Sequence, residues 1–192
     1  MPAYTEEEII IGCRKGERVF QEHLYKSYYS TLMKICVRYA KDMQDAEQLL
    51  NDGFMKIFTH ISRYQNAGSF EGWMKRIVVN TCLDYLKSSY VKNSMKMNFN
   101  PNLVENTSLS VSNDSIQKME FKELVNMIQS LPAMTKTVFN LFVFEGFSHK
   151  EIARQLDISE GTSYWHVHQG RTMLQKKIKD NSEKVSYECK RV

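Results

Sequence analysis

Residues 88–117 hold 7 serines and 6 asparagines in 30 positions and show no apolar period, while the sequence on both sides repeats its apolar residues at the helical interval. Serine and asparagine side chains offer the backbone hydrogen bonds that compete with a helix. A structureless stretch of this length is uncommon inside one compact domain and common between two. The chain is therefore expected to fold as two bodies, 1–87 and 118–192, on a flexible linker. With only 3 Pro and 8 Gly in 192 residues, turn residues are too scarce for an all-β fold. No segment sustains strand alternation, so the expected class is all-α: two small helical domains.

In the first block Phe20, Leu24, Tyr28, Leu32, Ile35 and Tyr39 recur at helical spacing between Arg18 and Ala40. Asp42 is placed to cap the next helix, with Asp45 at the positive end of its dipole. That helix aligns Ala46, Leu49, Leu50, Gly53, Ile57, Phe58 and Ile61 on one face. Ser69 is placed to cap a third helix, in which Trp73, Ile77, Thr81 and Tyr85 step by four. In the second block the period resumes at Ile116 and runs through Met119, Leu124 and Ile128. Pro132 then sits as a first-turn proline ahead of Val138, Leu141 and Phe142.

The C-terminal block carries the more specific pattern. Ser148 can cap a short helix from His149 to Leu156 that buries Ile152, Ala153 and Leu156. Asp157 and Ile158 form a tight turn, and Ser159, with Glu160 beside it, caps a longer helix. This is the layout of a helix-turn-helix, whose second helix enters the major groove. An ordinary helical hairpin shares the outline, so the pattern alone leaves both open. The second helix offers Thr162, Ser163, Tyr164, Trp165, His166, His168 and Gln169 before Arg171, without the Arg/Lys cluster suited to base edges. Trp165 is expected to be partly exposed. His166 and His168 are two apart, point away from each other on a helix and make a poor metal pair.

Charge narrows the partner without deciding it. The net charge is +4, and residues 171–192 hold 7 Lys/Arg against 3 Asp/Glu. A basic end favours phosphate contact, and a solvated tail has the same composition. Cys13, Cys36, Cys82 and Cys189 lie far apart with no CxxC pair, so neither a disulfide framework nor a thiolate zinc site is expected. Cys36 and Cys82 are expected as buried thiols. Glu6, Glu7 and Glu8 stand where a secretory leader would be basic, and no apolar run approaches ~18 residues, so a cytoplasmic protein is expected. There is no glycine-rich phosphate loop, no HExxH and no nucleophile elbow. No catalysis, cofactor, metal or small-molecule substrate is expected.

The first block has residue types suited to opening a duplex, which needs aromatic platforms for unstacked bases beside cations for phosphates. Arg63, Tyr64, Gln65, Asn66, Ser69, Phe70 and Trp73 cluster in sequence ahead of Lys75 and Arg76. Arg76, Asn80, Asp84 and Lys87 form a polar stripe on the third helix. Core aromatics and a solvated helix face would give the same pattern. On the second helix Gln48, Asp52, Met55 and Thr59 share the face opposite the apolar one, with Asn51 close by. That face suits a partner helix or water equally.

Taken in order, VFQEHLYKSYYSTLMKICVRY, DAEQLLNDGFMKIF, SFEGWMKRIVVNTCLDYLK and LPAMTKTVFNLFVFEGFSHKEIARQLDISEGTS resemble the extracytoplasmic-function branch of the bacterial sigma-70 family. The resemblance covers about Val19 to Lys87 and Phe121 to Ile178. It implies a first domain, 1–87, that binds core RNA polymerase (the beta-prime and beta subunits) and melts the promoter's minus-ten element. It implies a second, 118–192, that reads the minus-thirty-five element. By carry-over, Gln48, Asn51, Asp52 and Met55 dock on core polymerase. Arg63, Tyr64, Gln65, Asn66, Ser69 and Phe70 form the loop that captures a flipped base, and Lys75, Arg76 and Asn80 the adjoining DNA face. Trp73 is expected to be mostly structural. Ser159, Glu160, Thr162, Ser163, Tyr164, Trp165, His168 and Arg171 fall on the minus-thirty-five reader, and the linker on a segment threading toward the polymerase active centre. An anti-sigma factor, often membrane-anchored, is implied as a further partner.

One departure stands out. After EGTS the family often carries cations, where this chain has Tyr164-Trp165-His166-Val167-His168-Gln169-Gly170. Gly170 also lowers helix propensity by ~1 kcal/mol relative to Ala. Contact of Tyr164 and Trp165 with thymine methyls is the available substitute. A stand-alone helix-turn-helix regulator remains the alternative, although it leaves the first block without a role. A sigma-like interaction protein without promoter specificity has only the altered second helix in its favour.

Overall fold

In the computed structural model, which describes residues 4–65, 67–92 and 123–189, every regular element among the described residues is helical. The chain divides into two units, Met1–Ser112 and Asn113–Val192.

The first unit begins with a helix that the periodicity did not reveal, α1 (Glu6–Arg14). Thr5 Oγ1 accepts from the Glu8 backbone N–H, and the Glu8 carboxylate accepts from the Thr5 N–H, a reciprocal capping box. α2 (Arg18–Tyr39), α3 (Met43–His60) and α4 (Phe70–Lys92) pack on one another, with a 3-10 turn at Ile61–Arg63 leading out of α3. Asp42 caps α3 by accepting from the Asp45 N–H at 2.8 Å, and Ser69 accepts from the Gly72 N–H at the start of α4. Leu24, Leu32, Met33, Leu50, Phe54, Ile57, Phe70, Met74 and Val78 form the core.

Two faces differ from expectation. Phe54 is fully buried, while Phe58 is half-buried and stacks on it at 6.0 Å. On α4 the buried stripe runs through Phe70, Met74, Val78 and Cys82, while Trp73, Ile77 and Tyr85 sit at its margin. The reason is that α4 packs against both α2 and α3, so a wide arc of it is covered. Close approach sets this packing. A Cβ on Gly53 would lie 2.9 Å from Val78 Cγ2, the Tyr85 hydroxyl donates to the Asp45 carboxylate at 2.5 Å, and Lys56 pairs with Asp84 at 3.1 Å.

α4 continues to Lys92, past the boundary expected at Lys87. Added turns on an already packed helix need no new nucleus, so Ser88 and Ser89 do not stop it. The rest of the expected linker, 93–117, lies outside the described residues, as do Ile116 and Met119 of the expected resumption.

In the second unit residues 123–129 are helical (α5). α6 (Ala133–Phe139) follows, with Pro132 as its N-cap rather than its first residue, and runs into a π-helical turn at Asn140–Phe144. α7 (His149–Leu156) opens on a second capping box, Ser148 with Glu151. Asp157 takes the left-handed conformation at φ 55°, which short polar side chains tolerate. α8 (Glu160–Cys189) begins where Ser159 Oγ accepts from the Thr162 N–H at 3.0 Å. Val125, Ile128, Val138, Leu141, Ile152 and Val167 are buried between these helices, while Ala153 and Leu156 are only half-covered. Gly170 has a packing reason: a Cβ there would meet Phe139 Cδ2 at 2.7 Å, so its absence lets α8 lie close on α6.

Cys13, Cys36 and Cys82 are buried free thiols, and burial pushes the Cys13 thiol up to about 11. Among the described residues no helix is long and apolar enough to cross a membrane, and no group of His, Cys, Asp and Glu is arranged to hold a metal.

Candidate nucleic-acid interface

Burying Ala46, Leu49, Leu50, Gly53, Phe54 and Ile57 turns the opposite face of α3 outward. Gln48, Asn51, Asp52 and Met55 are all exposed on it, Met55 to 64%. Gln48 Nε2 donates to Asp52 at 2.8 Å, and the Tyr25 hydroxyl donates to Asn51 Oδ1 at 3.3 Å. The result is an ordered polar patch around one unburied thioether, a side chain that adapts to irregular partner surfaces.

The loop between the 3-10 turn and α4 is anchored at both ends. At its start the Arg14 guanidinium, on α1, donates through Nη2 to the Tyr64 carbonyl at 2.5 Å and through Nε to the Ile61 carbonyl at 3.4 Å. At its end the Tyr64 hydroxyl donates to the Gly68 carbonyl at 2.7 Å, and Gly68 adopts φ 98°, which a side chain would strain. Sequence reasoning missed Arg14 because its partners are main-chain atoms far along the chain.

Tyr64 and Phe70 do not project toward a ligand. Both are buried, in a cluster with Trp73 whose ring centroids lie 5.0–5.7 Å apart, and Tyr28 meets Phe70 edge-on. Packing with Tyr28 of α2 and Trp73 of α4 holds both rings in this cluster. Trp73 is half-buried on the same cluster. Arg63, Gln65 and Ser69 are exposed around the loop, and Asn66 lies outside the described residues. On α4, Arg76, Asn80, Asp84 and Lys87 are exposed along one face, and Lys75 is half-exposed and paired with Glu71 at 2.6 Å.

In the second unit, Tyr164 (60% exposed) and Trp165 (56%) stand out from the N-terminal part of α8, with Glu160, His168 and Arg171 also exposed and Thr162 half-exposed. Ser163 differs from these in its burial. It is fully buried and bonded to His149 Nδ1 at 2.9 Å, because its position faces α7. The His149 ring is stacked between Phe142 at 4.3 Å and Tyr164 at 3.6 Å. His166 turns inward to Thr135 Oγ1 at 3.0 Å. Lys150 and Arg154 are exposed on α7, the helix that crosses the DNA backbone in this type of motif.

Burial holds the His149 imidazole below its ordinary value, a shift that Glu160 opposes and Arg171 reinforces, and burial acts on His166 in the same direction. A folded-state value below the unfolded one means that the stability tied to the neutral ring is present above pH ~6.5 and lost as the pH falls through the folded value. The second unit should melt at lower temperature as the pH drops below that point, and NMR titration should find both rings protonating below the unfolded value.

Two family models match in order along this frame: Sigma-70 region 2 over residues 24–90, which takes in α3, the anchored loop and most of α4, and Sigma-70, region 4 over residues 121–174, which takes in the helix-turn-helix. The chain belongs to the sigma-70 family. Its curated relatives include extracytoplasmic-function sigma factors. It is 24% identical over 168 residues to the ECF RNA polymerase sigma factor SigE of Mycolicibacterium smegmatis, a match covering 86% of this chain and 64% of that protein. To the ECF RNA polymerase sigma factor SigW of Bacillus subtilis it is 23% identical over 176 residues, 87% of this chain and 93% of that one. The fold is similar to that of the sigma factor RpoE solved with the anti-sigma factor NepR from Bartonella quintana. That match has a TM-score of 0.56 and 17% identity, over 82% of this chain and 96% of that one. On this sigma-70 frame the outward face of α3 and the anchored loop fall in region 2, and the Tyr164–Trp165 pair falls in region 4.

Proposed function

We propose that this sigma factor is a promoter-specificity subunit that joins core RNA polymerase in the cytoplasm and directs it to promoters, without catalysing a reaction itself. The observation that carries the reading is the ordered occurrence of region 2 and region 4 on two helical units, each presenting an exposed face of the chemistry its role requires. In this reading Gln48, Asn51, Asp52 and Met55 dock on the beta-prime subunit. Gln65, Ser69, Arg76 and Asn80 meet the minus-ten element as it opens, with Arg63 and Lys75 toward phosphates. The exposed side of α8 lies in the major groove of the minus-thirty-five element, while Lys150, Arg154 and Arg171 hold its phosphates. A protein antagonist is part of the proposal, supported by the NepR complex of the Bartonella relative.

Run-off transcription tests this directly, using purified bacterial core polymerase and a fragment library from the source genome, with and without the protein. Transcripts that start at defined sites only when the protein is present are expected. Met55→Glu, which puts a charge at the centre of the docking face, should weaken core binding about fivefold or more. Strong binding to duplex DNA without core enzyme, together with no new start sites, would instead favour a stand-alone helix-turn-helix regulator.

A further inference from the structure

The first eleven residues of α8, 160–170, contain no Lys or Arg. The commonest base-specific contact, a bidentate cation on guanine, is therefore unavailable where a recognition helix meets base edges. What this stretch presents instead is aromatic: Tyr164 and Trp165 are more than half exposed and adjacent. In the major groove the apolar feature that distinguishes one base from the others is the C5-methyl of thymine.

Exposed aromatic side chains usually owe nothing to their neighbours, but Tyr164 is held. Its ring lies 3.6 Å from His149, which stacks in turn on Phe142 at 4.3 Å. His149 is fixed by its bond to the buried Ser163, one residue before Tyr164 in α8. The Arg171 guanidinium lies 6.0 Å from the centroid of the Phe142 ring, at the far end of the same stack. A ring restrained in this way loses little freedom on binding, which is what a specificity contact requires.

We infer that Tyr164 and Trp165 are the specificity-determining residues of the upstream promoter element and read thymine methyl groups, with His149 as the positioning residue that holds Tyr164. The inference rests on the sigma-factor reading and names the chemistry by which its region 4 selects DNA. Phosphate contacts from Lys150, Arg154 and Arg171 then supply sequence-independent affinity.

The test uses holoenzyme and a promoter selected by run-off transcription from the genomic library, rebuilt with each upstream-element thymine replaced in turn by deoxyuridine. That exchange removes one methyl and leaves every hydrogen-bonding group in place. Holoenzyme affinity should fall about fourfold at each thymine contacted, the effect of one buried methyl. Tyr164→Ala and Trp165→Ala, both at exposed positions, should each abolish the thymine-to-deoxyuridine difference at a different base pair. His149→Ala should reduce the difference at the Tyr164 position while leaving the salt dependence of binding unchanged. Equal affinity for thymine and deoxyuridine templates, or an upstream element without thymine, would overturn the inference and leave the sigma-factor reading intact. Failure to select any promoter would overturn both.

Discussion

Arg14→Met is expected to lower run-off transcription from a duplex promoter roughly ten- to hundredfold, the equivalent of one charge-assisted hydrogen bond. Core-polymerase affinity should stay unchanged, because Arg14 lies on α1 and the proposed docking residues lie on the outward face of α3. The guanidinium joins the carbonyls of Ile61 and Tyr64 and so fixes where the loop leaves the 3-10 turn. Without it the loop still closes on itself through Tyr64 and Gly68, but its origin is free to shift. Capture of an unstacked base depends on a preformed site, since ordering the loop at that moment would draw on the same interaction energy. Permanganate reactivity of unpaired thymines in the minus-ten element measures the effect. Arg14→Lys should restore only part of it, because one ammonium cannot match the planar fork across two carbonyls. Unchanged permanganate reactivity in Arg14→Met would show that the loop does not need this anchor.

The second large effect concerns stability, and its sign is the informative part. Glycine to alanine inside a helix ordinarily gains up to ~1 kcal/mol. Gly170→Ala should reverse that sign and destabilise the second unit by ~1–2 kcal/mol, because overpacking a closed interface costs ~1–3 kcal/mol and exceeds the propensity gain. The added methyl would meet the ring of the buried Phe139 at 2.7 Å. Gly161→Ala, on the same helix, meets only Ser159 Oγ at 3.7 Å and should be neutral or stabilising. Chemical denaturation of both variants gives the comparison. Replacing Phe139 by Leu in the Gly170→Ala background should recover part of the loss, as expected for coupled neighbours.

The same glycine shows what a sequence reveals and what it withholds. Asp42, Ser69, Ser148 and Ser159 are legible as caps because the chemistry of a cap is complete within three or four residues. The outward faces of α3 and α4 follow from the same local logic, as does exposure of Trp165. Gly170 reads as a weak spot in a helix until Phe139 is seen beside it, and no spacing rule joins those two positions. Tyr64, Phe70 and Ser163 read as binding residues by type, yet packing with distant partners draws them inside. Phe54 and Phe58 are similarly hard to rank, since which ring is covered depends on Tyr25, 4.5 Å from Phe54. α1 is legible in principle, because Thr5 and Glu8 have capping-box spacing.

The contact between α3 and α4 bears on how hybrid specificity subunits can be assembled. In the proposed reading one helix carries the face offered to polymerase and the other the face offered to the opening duplex. Their separation is set by a missing methyl at Gly53 and by cross-links from Tyr85 to Asp45 and from Lys56 to Asp84. A transplanted α4 would arrive without the side chains that set its distance from the host's α3, so the two helices form a single cassette. The α6 to α8 segment forms another, closed where Gly170 meets Phe139, and the proposed function predicts that promoter preference moves with whole cassettes.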